Sequence, residues 1–123
     1  MRNYDLMRVI LCKVANSEKA PTVRDFQDFG EIEDIRQELE RLKNEGLIVH
    51  DIKWEAPEIS YGKVTNITQE GKSFLRNIEN EHVWALICKT LEDANLDLSY
   101  PLLKEVCDEI VKRYVMSKIP KEL

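Results

Sequence analysis

The spacing of apolar positions changes several times along the chain, and each change marks an element. Leu6, Val9, Ile10 and Val14 recur at helical steps, which predicts a helix from Asp5 to about Ala15 with Asp5 as its cap. Asn16 to Lys19 is a polar exit, and Pro21-Thr22-Val23 reads as a short extended link. Arg24 to Gly30 fits a short helix or an irregular turn equally well, because Phe26 and Phe29 are three apart. Glu31 to Glu45 is the clearest helix. Ile32, Ile35, Leu39 and Leu42 fall on one face, and Gly46 supplies a left-handed stop. The pattern then becomes that of a strand, from Leu47-Ile48-Val49 to about Trp54. Glu55 to Glu58 breaks it at Pro57, and Lys63 to Ile67 forms a second strand after Tyr61-Gly62. The two strands predict a hairpin with a tip of medium length.

Helical spacing returns after the hairpin. Thr68 suits the N-cap of a helix bearing Phe74, Leu75 and Ile78, and Gly71 in its first turn implies close packing against the hairpin. Asn80-Glu81 marks a break. Val83, Trp84, Ile87, Leu91 and Ala94 define the next helix, and Asn95 to Ser99 is a turn. Pro101 opens a last helix whose stripe is Leu103, Val106, Cys107, Ile110, Val111 and Tyr114, ending near Ser117. The tail from Lys118 to Leu123 reads as frayed. The expected fold is therefore mainly α with a small β-hairpin (α+β). Helices followed by a hairpin give the order of a winged helix-turn-helix over 1–80. Residues 81–123 are then a C-terminal helical extension, either packed on it or forming a dimer interface.

Composition narrows the chemistry. At 123 residues, 43% hydrophobic and 33% charged, the chain is long enough for one core and too apolar to be a disordered tail. Neither an apolar leader nor a run of about 18 apolar residues is present, so the expected setting is the cytoplasm, away from membranes. Cys12, Cys88 and Cys107 are far apart and form no CxxC pair, which reads as three buried thiols and no metal site. His50 and His82 have no nucleophile motif beside them, and the glycines form no phosphate loop. The expectation is a protein without a catalytic site or cofactor.

One set of residues resembles a known group. Asp5-Leu6-Met7-Arg8, Glu45-Gly46-Leu47-Ile48, Ile67-Thr68-Gln69-Glu70-Gly71-Lys72-Ser73-Phe74-Leu75 and Trp84 resemble the YjcQ-like family of uncharacterised bacterial and phage proteins, over roughly residues 4 to 115. The Glu-Gly-Leu-Ile and Ile-Thr-x-x-Gly-x-x-Phe-Leu pieces are similar to those of PadR- and MarR-type winged-helix regulators. The resemblance implies a winged-helix core and a frequent location in phages and prophages. It supplies no catalytic residues. By analogy with PadR-type regulators, it also implies that the C-terminal helices could serve dimerisation.

Two partners remain in view. In a DNA-binding version, Gln37, Arg41 and Asn44 share the solvent face of the Glu31–Glu45 helix and read bases, while Lys53 and Lys63 hold the hairpin to phosphates. The charge of that helix disfavours this version. Of the chain's net −5, the Glu31–Glu45 segment carries −3, with six acids against three bases. In the alternative, Glu33, Asp34, Glu38 and Glu40, with Trp54 and Tyr61 flanking the hairpin tip, form a surface for a protein. Arg2, Arg8 and Lys13 could add backbone contacts, but residues 1–30 total only +1.

Overall fold

The computed structural model describes residues 2–121, so Met1 and the last two residues of the expected frayed tail lie outside the described residues. It is a mixed α+β fold. The order is α1 (Tyr4–Asn16), a 3-10 helix (Val23–Phe29), α2 (Ile32–Asn44), β1 (Ile48–His50), β2 (Lys53–Ala56), β3 (Ile59–Tyr61), β4 (Val64–Ile67), α3 (Gln69–Ile78), α4 (Glu81–Ala94) and α5 (Tyr100–Ser117). Two compact units divide inside α3. One is Asn3–Leu75, and the other begins at Arg76 and includes Arg2.

In the first unit, α1 starts one residue before Asp5, and Asn3 is the cap in its place. Its carboxamide oxygen accepts from Leu6 N at 3.0 Å. The single stripe expected for α1 understates its burial, since Met7 and Leu11 are fully covered along with Ile10. The ambiguous stretch after Pro21 is the 3-10 helix. Its Thr22 backbone N–H donates to the Asp25 carboxylate at 2.8 Å, and Phe26 is fully buried. Pro21, which cannot donate, still accepts from Val64 N at 2.8 Å, so the link runs along β4. Helix α2 follows its predicted span, burying Ile35, Leu39 and Leu42, and Gly46 turns out of it at φ 76°.

The hairpin differs from expectation in both arms. β1 pairs antiparallel with β4, placing Ile48 opposite Ile67 and Val49 opposite Asn66, and the register shifts before His50. Asp51 carries the arms across the break: its N–H donates to Lys63 O at 3.2 Å, and its carboxylate accepts from Lys63 N at 2.8 Å. β2 then pairs with β3 up to Ala56 opposite Ile59, so the tip is the tight pair Pro57-Glu58 rather than a loop of medium length. A proline at the turn needs no ladder donor, so pairing continues right up to it.

Thr68 joins the hairpin to α3. Its hydroxyl donates to the carbonyl of Gly46 at 2.6 Å and accepts from Gly71 N at 2.9 Å. The expected close approach at Gly71 is there: a Cβ at that position would lie 2.2 Å from Leu47 O and 2.8 Å from Ile67 Cγ1.

In the second unit, the break at Asn80 is an N-cap whose side chain accepts from His82 N and Val83 N. α4 buries Val83, Trp84, Ile87 and Leu91, while Ala94 is exposed, and Asn95 closes the helix in the left-handed region at φ 51°. Of the stripe expected on α5, Leu103 and Cys107 are buried, and Val106, Ile110, Val111 and Tyr114 are half-buried. Cys12 and Cys88 are half-buried too, so of the three thiols expected to be buried, only Cys107 is.

Candidate binding surface on α2 and the hairpin

The side chains proposed from sequence lie in three different environments. Gln37 and Asn44 are exposed on α2, and Gln37 leans on Glu33 at 3.4 Å. Arg41 is half-buried and its guanidinium lies 3.6 Å from the Glu45 carboxylate, one helical turn on. Asp34, Gln37, Arg41 and Asn44 thus share a face by spacing, but the guanidinium on it is already paired. Lys53 and Lys63 are both exposed on the hairpin. Arg2 is buried and Arg8 half-buried, which removes Arg2 from any backbone-contacting set.

The six acids of the Glu31–Glu45 segment do not form one patch. Glu31, Glu33 and Asp34 are exposed at the N-terminal end of α2, where carboxylates complement the helix dipole, and Arg41 and Lys43 occupy its last turn. Glu38 is buried at 5% exposure, which takes it out of the exposed protein-binding set proposed for it. Its position lies beside Leu39 and Leu42 on the inner arc of the helix. Glu40 is half-buried with its carboxylate against His50, and Glu45 is the partner of Arg41. The segment's −3 is therefore mostly spent on helix termini and internal partners.

His50 was not singled out as a site residue, yet it is the buried polar group between α2 and the hairpin. Its side chain has no exposed surface, and Nδ1 accepts from Ile52 N at 3.1 Å, so the neutral ring carries its proton on Nε2. Nε2 lies 3.2 Å from Glu40 Oε1, close but off the line of a good hydrogen bond. Burial pushes the imidazole below its ordinary value of 6.5. Glu40, Asp51 and the Leu39 carbonyl oppose that shift, and Lys43 adds to it. The signal in the sequence was a histidine at an inward strand position, one residue past the outward Val49.

Trp54 and Tyr61 do not act as a pair. Register places Trp54 opposite Ser60 and Lys53 opposite Tyr61, so the two rings belong to opposite faces of the hairpin. Trp54 is half-buried with the Arg36 guanidinium 5.2 Å from its ring centre, and Arg36 reaches Glu33 at 4.0 Å. Tyr61 is 58% exposed. With Ile59 at 50% and Val49 at 48%, it completes the exposed large apolar residues of the first unit, and all three are on the hairpin. Ile59 was missed because Pro57 and Glu58 hid the return strand.

Among the described residues, no group of three His, Cys, Asp or Glu side chains is placed to hold a metal ion, and no helix is long and apolar enough to cross a membrane. Fold and surface together define a small mixed α+β protein that presents a polar helix face beside an apolar-tipped hairpin. Residues 1–97 match the family of hypothetical proteins DUF2513, and the chain belongs to that family. It is also similar, at 28% identity over 121 residues, to an uncharacterized protein of Haemophilus influenzae, covering 91% of this chain and 96% of that one. No solved structure matches it.

Proposed function

We propose that the first unit is a winged helix used as a non-catalytic binding module, and that its hairpin and α2 dock a protein. Three helical segments before a β-hairpin support the winged-helix reading, as does the Pro21 carbonyl bonded to β4 in the manner of a third, minimal strand. The likeness to YjcQ-like and PadR- and MarR-type proteins, and an origin in a phage or prophage, belong to the same reading. The observation that carries the protein partner is the confinement of exposed apolar residues to the hairpin. Val49, Ile59 and Tyr61 are the side-chain types that protein interfaces desolvate and nucleic-acid phosphates do not reward.

DNA is the second reading, favoured by Gln37 and Asn44 open on α2 and by Lys53 and Lys63 open on the hairpin. It lacks a free guanidinium on the helix face, because Arg41 is paired with Glu45. One experiment separates the two. Fluorescence anisotropy of labelled duplex at about 50 mM salt is expected to stay flat, since phosphate contacts are strongest at low ionic strength. In parallel, a cellular protein retained by the wild-type chain is expected to be lost from Tyr61→Ser while the variant's melting point is unchanged. Duplex binding that Lys53→Ala and Lys63→Ala both weaken would establish DNA instead.

A further inference from the structure

The hairpin consists of two ladders that meet at a break. β1–β4 ends with His50 opposite Val64, and β2–β3 begins with Lys53 opposite Tyr61. Asp51 and Ile52 cross the break on one arm, and Gly62 and Lys63 on the other. Asp51 supplies two of the bonds there, its N–H donating to Lys63 O at 3.2 Å and its carboxylate accepting from Lys63 N at 2.8 Å. Gly62 fits against the same residue, since a Cβ on it would lie 2.6 Å from Asp51 O. A further bond is made by the Ile52 N–H, which donates to His50 Nδ1 at 3.1 Å. Beyond the break, the β2–β3 arm carries Ile59 and Tyr61, and it meets α2 where Arg36 lies 5.2 Å over the Trp54 ring.

The bond from Ile52 is one that a proton abolishes. A neutral imidazole accepts at Nδ1 and donates from Nε2, whereas an imidazolium donates from both nitrogens. A proton added at Nδ1 points at the Ile52 N–H, donor against donor, and one of the two has to move. The His50 side chain has no exposed surface and so no room to retreat. At its other nitrogen the charge is welcome. Nε2 lies 3.2 Å from Glu40 Oε1 without a good hydrogen bond, and the Glu40 side chain, 43% exposed, has room to turn onto it. Of the other groups facing the ring, Asp51 and the Leu39 carbonyl favour the proton and Lys43 opposes it. A charged ring is therefore drawn toward α2 and lets go of Ile52. Asp51 still ties the two arms to each other, so the change falls on how the β2–β3 arm is carried.

We propose that His50 is a proton-operated latch: a proton at Nδ1 breaks its bond to Ile52 and frees the β2–β3 arm from α2, while the β1–β4 ladder stays paired. The latch concerns how the arm is held, whatever the hairpin docks. Its test is an amide-resolved NMR titration of the full chain from about pH 7.5 to about pH 4.5, since the folded imidazole titrates below its ordinary value. The Ile52 amide is expected to lose about tenfold or more in protection from exchange, and the Trp54 indole signal, assigned with Trp54→Phe, to shift with the same midpoint. Val49 and Asn66, paired on the β1–β4 ladder, should keep their protection. His50→Asn places an acceptor oxygen that serves the amide two residues on and takes up no proton, so Ile52 should stay protected throughout. Glu40→Gln removes a carboxylate that favours the charged ring and should move the wild-type midpoint down by about half a pH unit or more. Ile52 and Trp54 unmoved across the range overturn the latch, as does a titration that His50→Asn reproduces. Loss of protection at Ile52, Val49 and Ile35 with one midpoint overturns it too, because the proton would then enter only as the whole unit unfolds.

Discussion

The two units solve the same problem with different completeness. In Asn3–Leu75, three helical segments and a hairpin enclose their apolar residues so fully that exposed large ones occur only on the hairpin. In the unit beginning at Arg76, α5 runs for 18 residues with two of them buried, and Leu86, Leu96, Leu102, Val115 and Met116 are open. Apolar residues recur at helical steps in both α2 and α5, though they are less sharply segregated to one face in α5. Periodicity therefore tells which face of a helix is apolar, and says nothing about whether the chain itself supplies the cover. Where cover is missing, a surface remains that a partner can use.

The largest effect should come from breaking the tight unit at its closest approach. Gly71→Ala drives a methyl group into the Leu47 carbonyl and Ile67, both anchored in the hairpin junction that Thr68 ties together. Backbone cannot rotate away as a side chain can, so a loss of about 3 kcal/mol is expected in urea denaturation. Gly30→Ala is the control. No atom lies within 4 Å of a Cβ there and the backbone is extended, so the change should stay within about 0.5 kcal/mol. Equal costs at the two positions would mean that α3 does not rest on the hairpin as described.

Much of this was legible in the sequence because the signals are local. The Ile32–Leu42 stripe, Gly46, the Thr68 cap and the tight fit at Gly71 each follow from a few neighbouring residues. What was hidden depends on contacts between distant segments. Six acids on one helix looked like a charged face. Folding buries Glu38, turns Glu40 toward His50 and ties Glu45 to Arg41. Trp54 and Tyr61 looked like a pair because both flank the tip, and strand register sends them to opposite faces. A net charge can be counted from composition, but the side it faces cannot.

His50 gives an effect of middle size and tests whether the tight unit is as dry beneath α2 as its burial implies. Its folded pKa is lowered from 6.5, chiefly by burial. As pH falls through 6.5, the unfolded chain takes up a proton that the folded chain refuses. Unfolding then binds protons, so stability is full above that pH and declines below it, by at most about 1.4 kcal/mol per pH unit. Urea midpoints between pH 7.5 and 5 should fall for the wild type and fall less for His50→Gln, which keeps a polar side chain without the titration. Parallel slopes for the two proteins would place the pH dependence elsewhere.

The smallest effect bears on the open unit and leaves stability untouched. Cys107 is on the one strip of α5 that is covered, and burial, with Asp108 and Cys88 nearby, pushes its thiol from 9.0 up to about 12. Attack on a disulfide reagent needs the thiolate, so at pH 8 this sulfur is both shielded and protonated. Cys12 and Cys88 are half-buried and should react first, leaving Cys107 as the slow thiol in mass-resolved labelling of the native chain and an ordinary one in denaturant. If Cys107 reacts as fast as Cys88, the inner strip of α5 opens frequently, and the contrast between the two units extends from surface to core. If it stays protected, α5 is firmly seated along Leu103 and Cys107, and its exposed outer strip belongs to a rigid helix that could offer a partner a fixed pattern of charge.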